Sequence, residues 1–217
     1  MIEVDPNGGQ PTPTASPTET SIVDPTPSSS GDPTPSASPS STEPPQPTID
    51  ECAANIGDPA VTADSILSII GLTRDELQAA QDSGYWHITL ATGSGEFGNG
   101  YAFSPDLFCG NALDNTVSVL DSDGNRDYFF GGAGDDTVVE SWLSTFYGGD
   151  GNDTLQGGDV SGIRYYGDGG NDRFIGGAGD EYIDMGAGNN TVFGGDGNDT
   201  IIVSGGFSTI EIGRAHV

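Results

Sequence analysis

The sequence predicts a mainly β fold, with short stacked strands in the second half of the chain. A phrase of nine residues, Gly-Gly-x-Gly-x-Asp-x-U-x with U apolar, occurs six times between Gly131 and Ile202. Its first four places are mostly glycine, which takes positive φ without steric penalty and therefore suits a tight turn. Its eighth place is always apolar, as expected for the inward-facing middle residue of a three-residue strand.

The six copies share a polar residue at place six and an apolar residue at place eight. Place six holds Asp136, Asp153, Asp172, Glu181, Asn190 and Asp199. Place eight holds Val138, Leu155, Phe174, Ile183, Val192 and Ile201. The alternative interpretation is a flexible Gly/Asp-rich tract, but low-complexity sequence has no reason to keep an apolar residue at one place in nine. The pattern therefore indicates a folded repeat.

The glycine turn and the place-six acid together suit a hard divalent cation. Ca²⁺ takes six to eight oxygen ligands, which include backbone carbonyls and carboxylates. One turn offers too few oxygens, so an ion must lie between two stacked turns. Over residues 122–202 the phrase resembles the calcium-binding nonapeptide of RTX proteins. The resemblance implies a right-handed parallel β-roll in which each nonapeptide forms half a coil and Ca²⁺ is the bound ion.

In such a roll, alternate repeats lie on the same side. Two stretches break the phrase, Glu140–Tyr147 and Gly157–Tyr166, and we interpret both as degenerate half-coils. This phasing predicts one ladder of Asp136, Asp153, Asp172 and Asn190, and a short opposite ladder of Glu181 and Asp199. Each pair of neighbouring acids in a ladder predicts an ion site, and the pair that includes Asn190 predicts a weaker one, because an amide oxygen carries no charge.

The predicted metal ligands are the place-six side chains and most glycines of places two and four. They are Gly132, Gly134, Asp136, Gly149, Gly151, Asp153, Gly170, Asp172, Gly177, Gly179, Glu181, Asn190, Gly195, Gly197 and Asp199. An acidic loop that runs into Gly131 adds the candidate ligands Asp121, Asp123 and Asp127, and we interpret its last nine residues as a degenerate first half-coil.

Electrostatics predicts that folding of the roll depends on the ion. Strands stack about 4.8 Å apart, and two carboxylates at that spacing repel by roughly 3.5 kcal/mol at an effective dielectric constant near 20. Burying one aliphatic side chain returns roughly 1.5–3 kcal/mol. These terms nearly cancel, and ordering glycine adds an entropic cost. We therefore expect a largely disordered ion-free roll and an ordered calcium form.

The remaining chain divides by composition. Residues 1–50 hold 12 of the 14 prolines among Thr and Ser, and they predict a disordered linker or stalk. Residues 51–109 predict a small α/β unit, with a helix in Val61–Ile70, a helix that starts at the capping box Thr73–Glu76 and a strand in Tyr85–Thr92. Cys52 and Cys109 bracket this unit and are a candidate disulfide.

Residues 110–211 are assigned to the roll, and its ending is unusual. The last residues, Glu-Ile-Gly-Arg-Ala-His-Val, match the translation of a widely used sequencing-library adapter. We therefore interpret residues 212–217 as an artefact and expect the natural protein to continue with further repeats.

The charge of the chain limits its partners. With 33 acidic residues against 5 basic ones, the net charge is −28, which argues against nucleic acid and anionic membranes as direct partners. No apolar stretch is long enough to span a membrane, and the N-terminus lacks the features of a secretory signal. RTX proteins typically leave the cell through a type I system that reads a C-terminal signal, so the resemblance implies an extracellular or cell-surface protein.

No catalytic pattern accompanies the repeats. The chain has two histidines and contains neither HExxH nor GxSxG. We expect a structural calcium-binding role and no enzymatic activity. Two alternatives stay open: the C-terminal part of a secreted RTX protease or lipase whose catalytic domain lies elsewhere, and a calcium-dependent adhesin or surface-layer protein. The sequence specifies no protein or glycan partner.

Overall fold

The computed structural model describes residues 46–96, 104–119, 124–140 and 144–213. Residues 1–45, which make up most of the predicted disordered stalk, lie outside the described residues. Asp121, Asp123 and residues 214–217 also lie outside them. The described residues belong to one compact unit. Among them, no helix is long and apolar enough to cross a membrane.

Three short helices precede the strands: α1 (Ile49–Ile56), α2 (Ala63–Ile70) and α3 (Arg74–Asp82). Each begins after a threonine whose hydroxyl accepts a hydrogen bond from the backbone three residues later, in a capping box. The helices predicted in Val61–Ile70 and after Thr73 are confirmed. Helix α1 begins inside the range that we assigned to the disordered segment, because Thr48 and Glu51 supply a capping box there.

The described strands form two parallel sheets of seven strands each. The first sheet contains β1 (His87–Leu90), β3 (Asp106–Cys109), β5 (Asp127–Ala133), β7 (Ser144–Asp150), β9 (Arg164–Gly169), β11 (Tyr182–Asp184) and β13 (Thr200–Ile202). The second sheet contains β2 (Gly95–Glu96), β4 (Asn115–Val119), β6 (Thr137–Glu140), β8 (Thr154–Gln156), β10 (Arg173–Ile175), β12 (Thr191–Phe193) and β14 (Thr209–Glu211). Successive strands alternate between the sheets, so each coil contributes one strand to each. The predicted parallel β-roll is confirmed.

The strand register follows the predicted two-repeat spacing. In the second sheet, Leu155 lies opposite Val138 on one side and Phe174 on the other. In the first sheet, Tyr165 lies between Phe146 and Ile183. Strands β7 and β9 therefore occupy half-coil positions, although each begins in a stretch that lacks the nonapeptide phrase.

Strand pairing begins earlier in the chain than the sequence predicted. Strands β1 and β3 pair in register with each other and with β5, and β2 pairs with β4. Residues 87–109, which we placed in a separate α/β unit, therefore contribute strands to both sheets. Their turns lack the glycine phrase, which is why the repeat pattern did not reveal them.

Two apolar clusters stabilise this arrangement. The inward side chains of both sheets fill the interior of the roll, with a row of aromatic rings in the first sheet: Phe108, Phe129, Phe146 and Tyr165. The outward side chains of the first strands, such as Leu107 and Phe130, pack instead with the helices. Cys52 of α1 and Cys109 of β3 form a disulfide within this second cluster.

Candidate metal centre

The roll has two edges, at which the chain passes from one sheet to the other. The first edge holds the turns from the first sheet to the second, and its place-six positions are Asn115, Asp136, Asp153, Asp172, Asn190 and Ser208. The second edge holds the return turns, with Asp106, Asp127, Glu181 and Asp199 at the same place. The structure thus puts the two predicted ladders on opposite edges.

On the first edge, backbone hydrogen bonds hold the side chains in vertical register. The N–H of Asn115 donates to Oδ1 of Asp136 at 2.7 Å, and the N–H of Asp136 donates to Oδ1 of Asp153 at 2.8 Å. The N–H of Asp153 donates to Oδ1 of Asp172 at 3.0 Å, and that of Asp172 to Oδ1 of Asn190 at 2.8 Å. One oxygen of every acid therefore stabilises the neighbouring turn.

The other oxygen of each acid has no such role. Oδ2 of Asp136, Asp153 and Asp172 is buried and has no hydrogen-bond partner among the described residues. The place-one glycine leaves room for this oxygen, since a Cβ on Gly131 or Gly148 would collide with it. Buried polar atoms are almost always satisfied, and a buried carboxylate oxygen is a preferred Ca²⁺ ligand. The donor set of the first edge therefore fits a hard cation.

The electrostatics of the first edge supports the same conclusion. Burial raises the pKa of Asp136 to about 8 and that of Asp153 to about 7, although each accepts a backbone hydrogen bond that opposes the shift. The charge of the next acid in the ladder raises both pKa values further. Burial likewise raises the pKa of Asp172 to about 6. Without a cation, this edge disfavours the charged state of its own carboxyls.

Backbone carbonyls must complete any coordination shell. Among the described residues, no three His, Cys, Asp or Glu side chains converge closely enough to hold an ion. Of the nine glycines predicted as ligands, seven have φ in the left-handed region: Gly132, Gly134, Gly149, Gly151, Gly170, Gly195 and Gly197. Gly177 and Gly179 do not, and they lie against the degenerate stretch of residues 157–166.

Asn190 takes part in the first ladder differently from an acid, and its own N–H donates to Oγ of Ser208 at 3.4 Å. Its Nδ2 donates to the carbonyl of Met185 at 2.9 Å, while its Oδ1 accepts from Asp172. The amide therefore presents an N–H donor where the acids present an unsatisfied oxygen. This arrangement gives a physical reason for the weaker site predicted between Asp172 and Asn190.

At its C-terminal end, the second edge repeats the arrangement of the first. The N–H of Glu181 donates to Oδ1 of Asp199 at 3.1 Å. Both carboxyl oxygens of Glu181 and Oδ2 of Asp199 are buried, without a hydrogen-bond partner among the described residues. Burial, followed by the adjacent side chain of Asp199 and its charge, raises the pKa of Glu181 to about 9. These two residues form the pair that the sequence predicted.

The middle of the second edge carries no place-six acid. The degenerate half-coils align Ile163 with Glu181, and Ile163 is fully buried in the core. Across this stretch the guanidinium of Arg126 donates from Nη1 to Oγ1 of Thr145 at 3.0 Å and to the carbonyl of Gly162 at 2.9 Å. An apolar side chain and a fixed positive charge thus occupy the part of this edge where the repeat fails.

Two place-six positions escaped the sequence analysis. Asp127, a candidate ligand, accepts the N–H of Asp106 at 2.8 Å through Oδ1, so Asp106 belongs to the second ladder. Asn115 begins the first ladder. A signal for Asn115 was present: Gly110 stands five residues before it and Val117 two residues after it, as in the nonapeptide.

The fold and the two edges define a cation-binding parallel β-roll. A family model of the RTX calcium-binding nonapeptide repeat matches four times, at residues 118–139, 144–159, 164–192 and 186–210. These residues are therefore RTX calcium-binding nonapeptide repeats, and such repeats bind calcium ions. No curated protein and no solved structure matches the chain significantly.

Proposed function

We propose that this chain is a secreted structural module, whose β-roll folds when it meets extracellular calcium. One observation carries the proposal: a row of buried carboxylate oxygens on the first edge has no partner among the described residues. A cation that binds only the folded roll stabilises it by mass action. In a calcium-poor cytosol the same row of acids opposes folding, which would keep the chain unfolded during export.

We assign the Ca²⁺ ligands by pairs of turns. The carboxylates of Asp136 and Asp153 would hold one ion, and the carboxylates of Asp153 and Asp172 would hold a second. On the other edge, Glu181 and Asp199 would hold a third. Carbonyls of the intervening glycine turns would complete each shell. The module itself would be non-catalytic. The unsatisfied carboxylates recur at the spacing of the repeats, and this periodicity favours a role as metal ligands over a role as catalytic acids or bases.

A calcium titration of the chelator-treated chain tests this function. Far-ultraviolet circular dichroism should change from a largely disordered spectrum to a β spectrum at millimolar or lower Ca²⁺, and chelator should reverse the change. Mg²⁺ at the same concentration is the matched control, because its smaller, octahedral shell fits a flexible carbonyl site poorly. A spectrum that is already ordered in chelator, and that Ca²⁺ leaves unchanged, would contradict the proposal.

A further inference from the structure

A cavity of about 340 Å³ lies between the helices and the outer face of the first sheet. On the helical side it is lined by Ile56 of α1, by Val61 and by Ile69 of α2. On the sheet side it is lined by Phe130 of β5 and Tyr147 of β7. A concave, largely apolar cavity of this volume is typical of the sites at which proteins bind small molecules.

Aromatic stacking gives the sheet side of the cavity a fixed shape. The ring of Tyr147 stacks on Phe130 with centroids 4.8 Å apart and on Tyr166 with centroids 4.6 Å apart, at interplanar angles of 3° and 4°. The two neighbouring rings therefore cover both faces of Tyr147. A ligand that needs a free aromatic face there, such as a stacked sugar ring, is not favoured.

Three carboxylates border the apolar lining. Asp58 lies just beyond the C-terminal end of α1, and Asp150 and Asp168 lie near the ends of β7 and β9. Oδ1 of Asp58 accepts the N–H of Ala60 at 2.8 Å, and a Cβ on Gly169 would lie 3.2 Å from Oδ1 of Asp150. No basic residue is among the described residues that line the cavity. The site therefore disfavours anions and favours a cation.

Asp168 departs from the repeat at a position that favours glycine. It occupies place two of its turn, where the neighbouring turns of the first edge have Gly149 and Gly186. Its φ of 62° is in the left-handed region, and among the described residues no other non-glycine residue has a positive φ. Such strained positions cost free energy and cluster at ligand sites. The sequence thus places a carboxylate beside the cavity at a cost in backbone strain.

The spacing of these acids distinguishes an organic cation from a metal ion. Among the described residues, no three His, Cys, Asp or Glu side chains converge closely enough to hold a metal ion. A protonated amine needs no such convergence, because each of its N–H donors can bind a different carboxylate in a charge-assisted hydrogen bond. The apolar lining stabilises the hydrocarbon part of the same molecule, whereas it offers a metal ion no ligand.

We propose that this cavity binds a small organic amine, with its apolar body between Ile69 and Tyr147 and its protonated nitrogen at Asp58, Asp150 and Asp168. None of the place-six side chains lines the cavity, so the acid ladders are not part of this site. The proposal adds a second ligand to the proposed function and does not rest on the assigned calcium ligands. The alternative is a packing gap bordered by solvated acids.

The first test compares three probes that share a phenyl body and differ in charge: phenethylamine, phenethyl alcohol and phenylacetate. Each is titrated into the full chain at saturating Ca²⁺ and constant ionic strength, and the amide chemical shifts are followed by NMR. Phenethylamine should bind in the millimolar range or tighter, with saturable shifts at Ile69 and Gly131. The neutral alcohol should bind at least about fivefold more weakly, and phenylacetate should not saturate.

The second test uses variants of the cavity. Asp58→Asn keeps an acceptor for the N–H of Ala60 but removes the charge, so it should weaken phenethylamine binding about threefold or more. Ala60→Leu places a larger side chain in the cavity and should abolish the binding of both the amine and the alcohol. Asp75→Asn, an exposed change in the first turn of α3, is the matched control and should bind phenethylamine like the unaltered chain.

Equal affinities for phenethylamine and phenethyl alcohol would overturn the proposal, as would an unchanged affinity for phenethylamine in Asp58→Asn. Absence of saturable shifts with every probe, in a chain that circular dichroism shows to be folded by Ca²⁺, would show that the cavity is only a packing gap. If Asp58→Asn does not fold, Asp168→Asn replaces it, because asparagine tolerates a positive φ. An unchanged amine affinity in that variant would overturn the proposal in the same way.

Discussion

The two edges of the roll are built from the same nonapeptide, but the second edge departs from its pattern more than the first. The first edge presents an uninterrupted ladder from Asn115 to Asn190, with three successive acids at its centre. The second edge has place-six acids near both ends, and its middle is occupied by Ile163 and by the guanidinium of Arg126. The same turn geometry therefore accommodates either a bound ion or, in its place, an apolar side chain and a guanidinium group.

This difference identifies what the ion does for the fold. Where the acids are consecutive, each buried carboxylate adds repulsion that a bound cation offsets at neutral or higher pH and that protonation relieves at lower pH. Where the phrase fails, burial of an aliphatic side chain and hydrogen bonds from a fixed cation stabilise the turn instead. We therefore expect the first edge to depend strongly on calcium and the middle of the second edge to be independent of it.

The largest expected effect is that of Asp153→Asn. Asp153 is shared by two predicted sites, so the substitution should weaken calcium binding at least about a hundredfold, measured by calorimetry. Without calcium it should have the opposite effect. The amide would remove one buried charge and could donate to a carbonyl, as Asn190 does to Met185. The ion-free roll should therefore be as stable as, or more stable than, the unaltered one in urea denaturation.

Asp150→Asn is the matched control for Asp153→Asn. It removes the same charge from the same turn, but Asp150 is exposed. Calcium affinity should change by less than about threefold, as expected for an exposed charge. If the two variants lose affinity equally, the net charge of the chain rather than the buried oxygen governs binding.

Acidification should affect the ion-free and calcium-loaded forms in opposite directions. The folded-state pKa values of Asp136, Asp153 and Asp172 are about 8, 7 and 6, above the ordinary value of 3.8. Between the ordinary pKa of 3.8 and the raised pKa values, the folded form therefore binds more protons than the unfolded form. In chelator, the free energy of unfolding should rise as the pH falls from about 8 to about 4.

Calcium binding should weaken over the same pH range, because protons compete with Ca²⁺ for the same carboxylate oxygens. Urea denaturation in chelator and calorimetric titration, both repeated across this range, measure the two trends. If the ion-free form instead becomes less stable on acidification, burial does not disfavour the charged state of these carboxyls.

Glu181→Gln should have a smaller effect, limited to the second edge. The pair of Glu181 and Asp199 forms a single site at the end of the roll. Calorimetry should show one fewer calcium ion per chain, while the first-edge sites keep their affinity. Loss of all calcium-induced folding would instead mean that the two edges are a single cooperative unit. Asp180→Asn, which changes an exposed neighbour, should leave the stoichiometry unchanged.

The smallest expected effect is that of Arg126→Gln. It removes charged hydrogen bonds to Thr145 and Gly162, which should cost about 1–2 kcal/mol of unfolding free energy. Because no acid of the ladder lies there, calcium affinity should stay the same. Arg164→Gln, on the exposed face of β9, is the control and should be neutral. A large loss of calcium affinity in Arg126→Gln would contradict the separation of the two roles.

The sequence predicted those parts of the roll in which local chemistry repeats. Glycine turns, the place-six acid and the place-eight apolar residue were enough to phase the coils and to assign Asp136, Asp153 and Asp172 to one edge. The capping box at Thr73 likewise predicted α3. In each case the signal lies within nine residues or fewer, so neighbouring residues alone determine it.

The features that escaped prediction depend on partners distant in the chain. Asp106 occupies a ladder position through its register with the next coil, and the residues before it lack the glycine phrase. The ring of Tyr165 contacts Phe146 on the neighbouring strand and Phe174 of the opposite sheet. Neither relation can be inferred from residues that are adjacent in the sequence.

Anomalous scattering from crystals of the chain grown with Tb³⁺ in place of Ca²⁺ tests the central claim most directly. The account predicts peaks between Asp136 and Asp153 and between Asp153 and Asp172, each within bonding distance of the Oδ2 atoms that have no hydrogen-bond partner among the described residues. A further peak should lie at Glu181 and Asp199. Ions bound only at exposed acids, with those buried oxygens left unbound in an ordered roll, would contradict it.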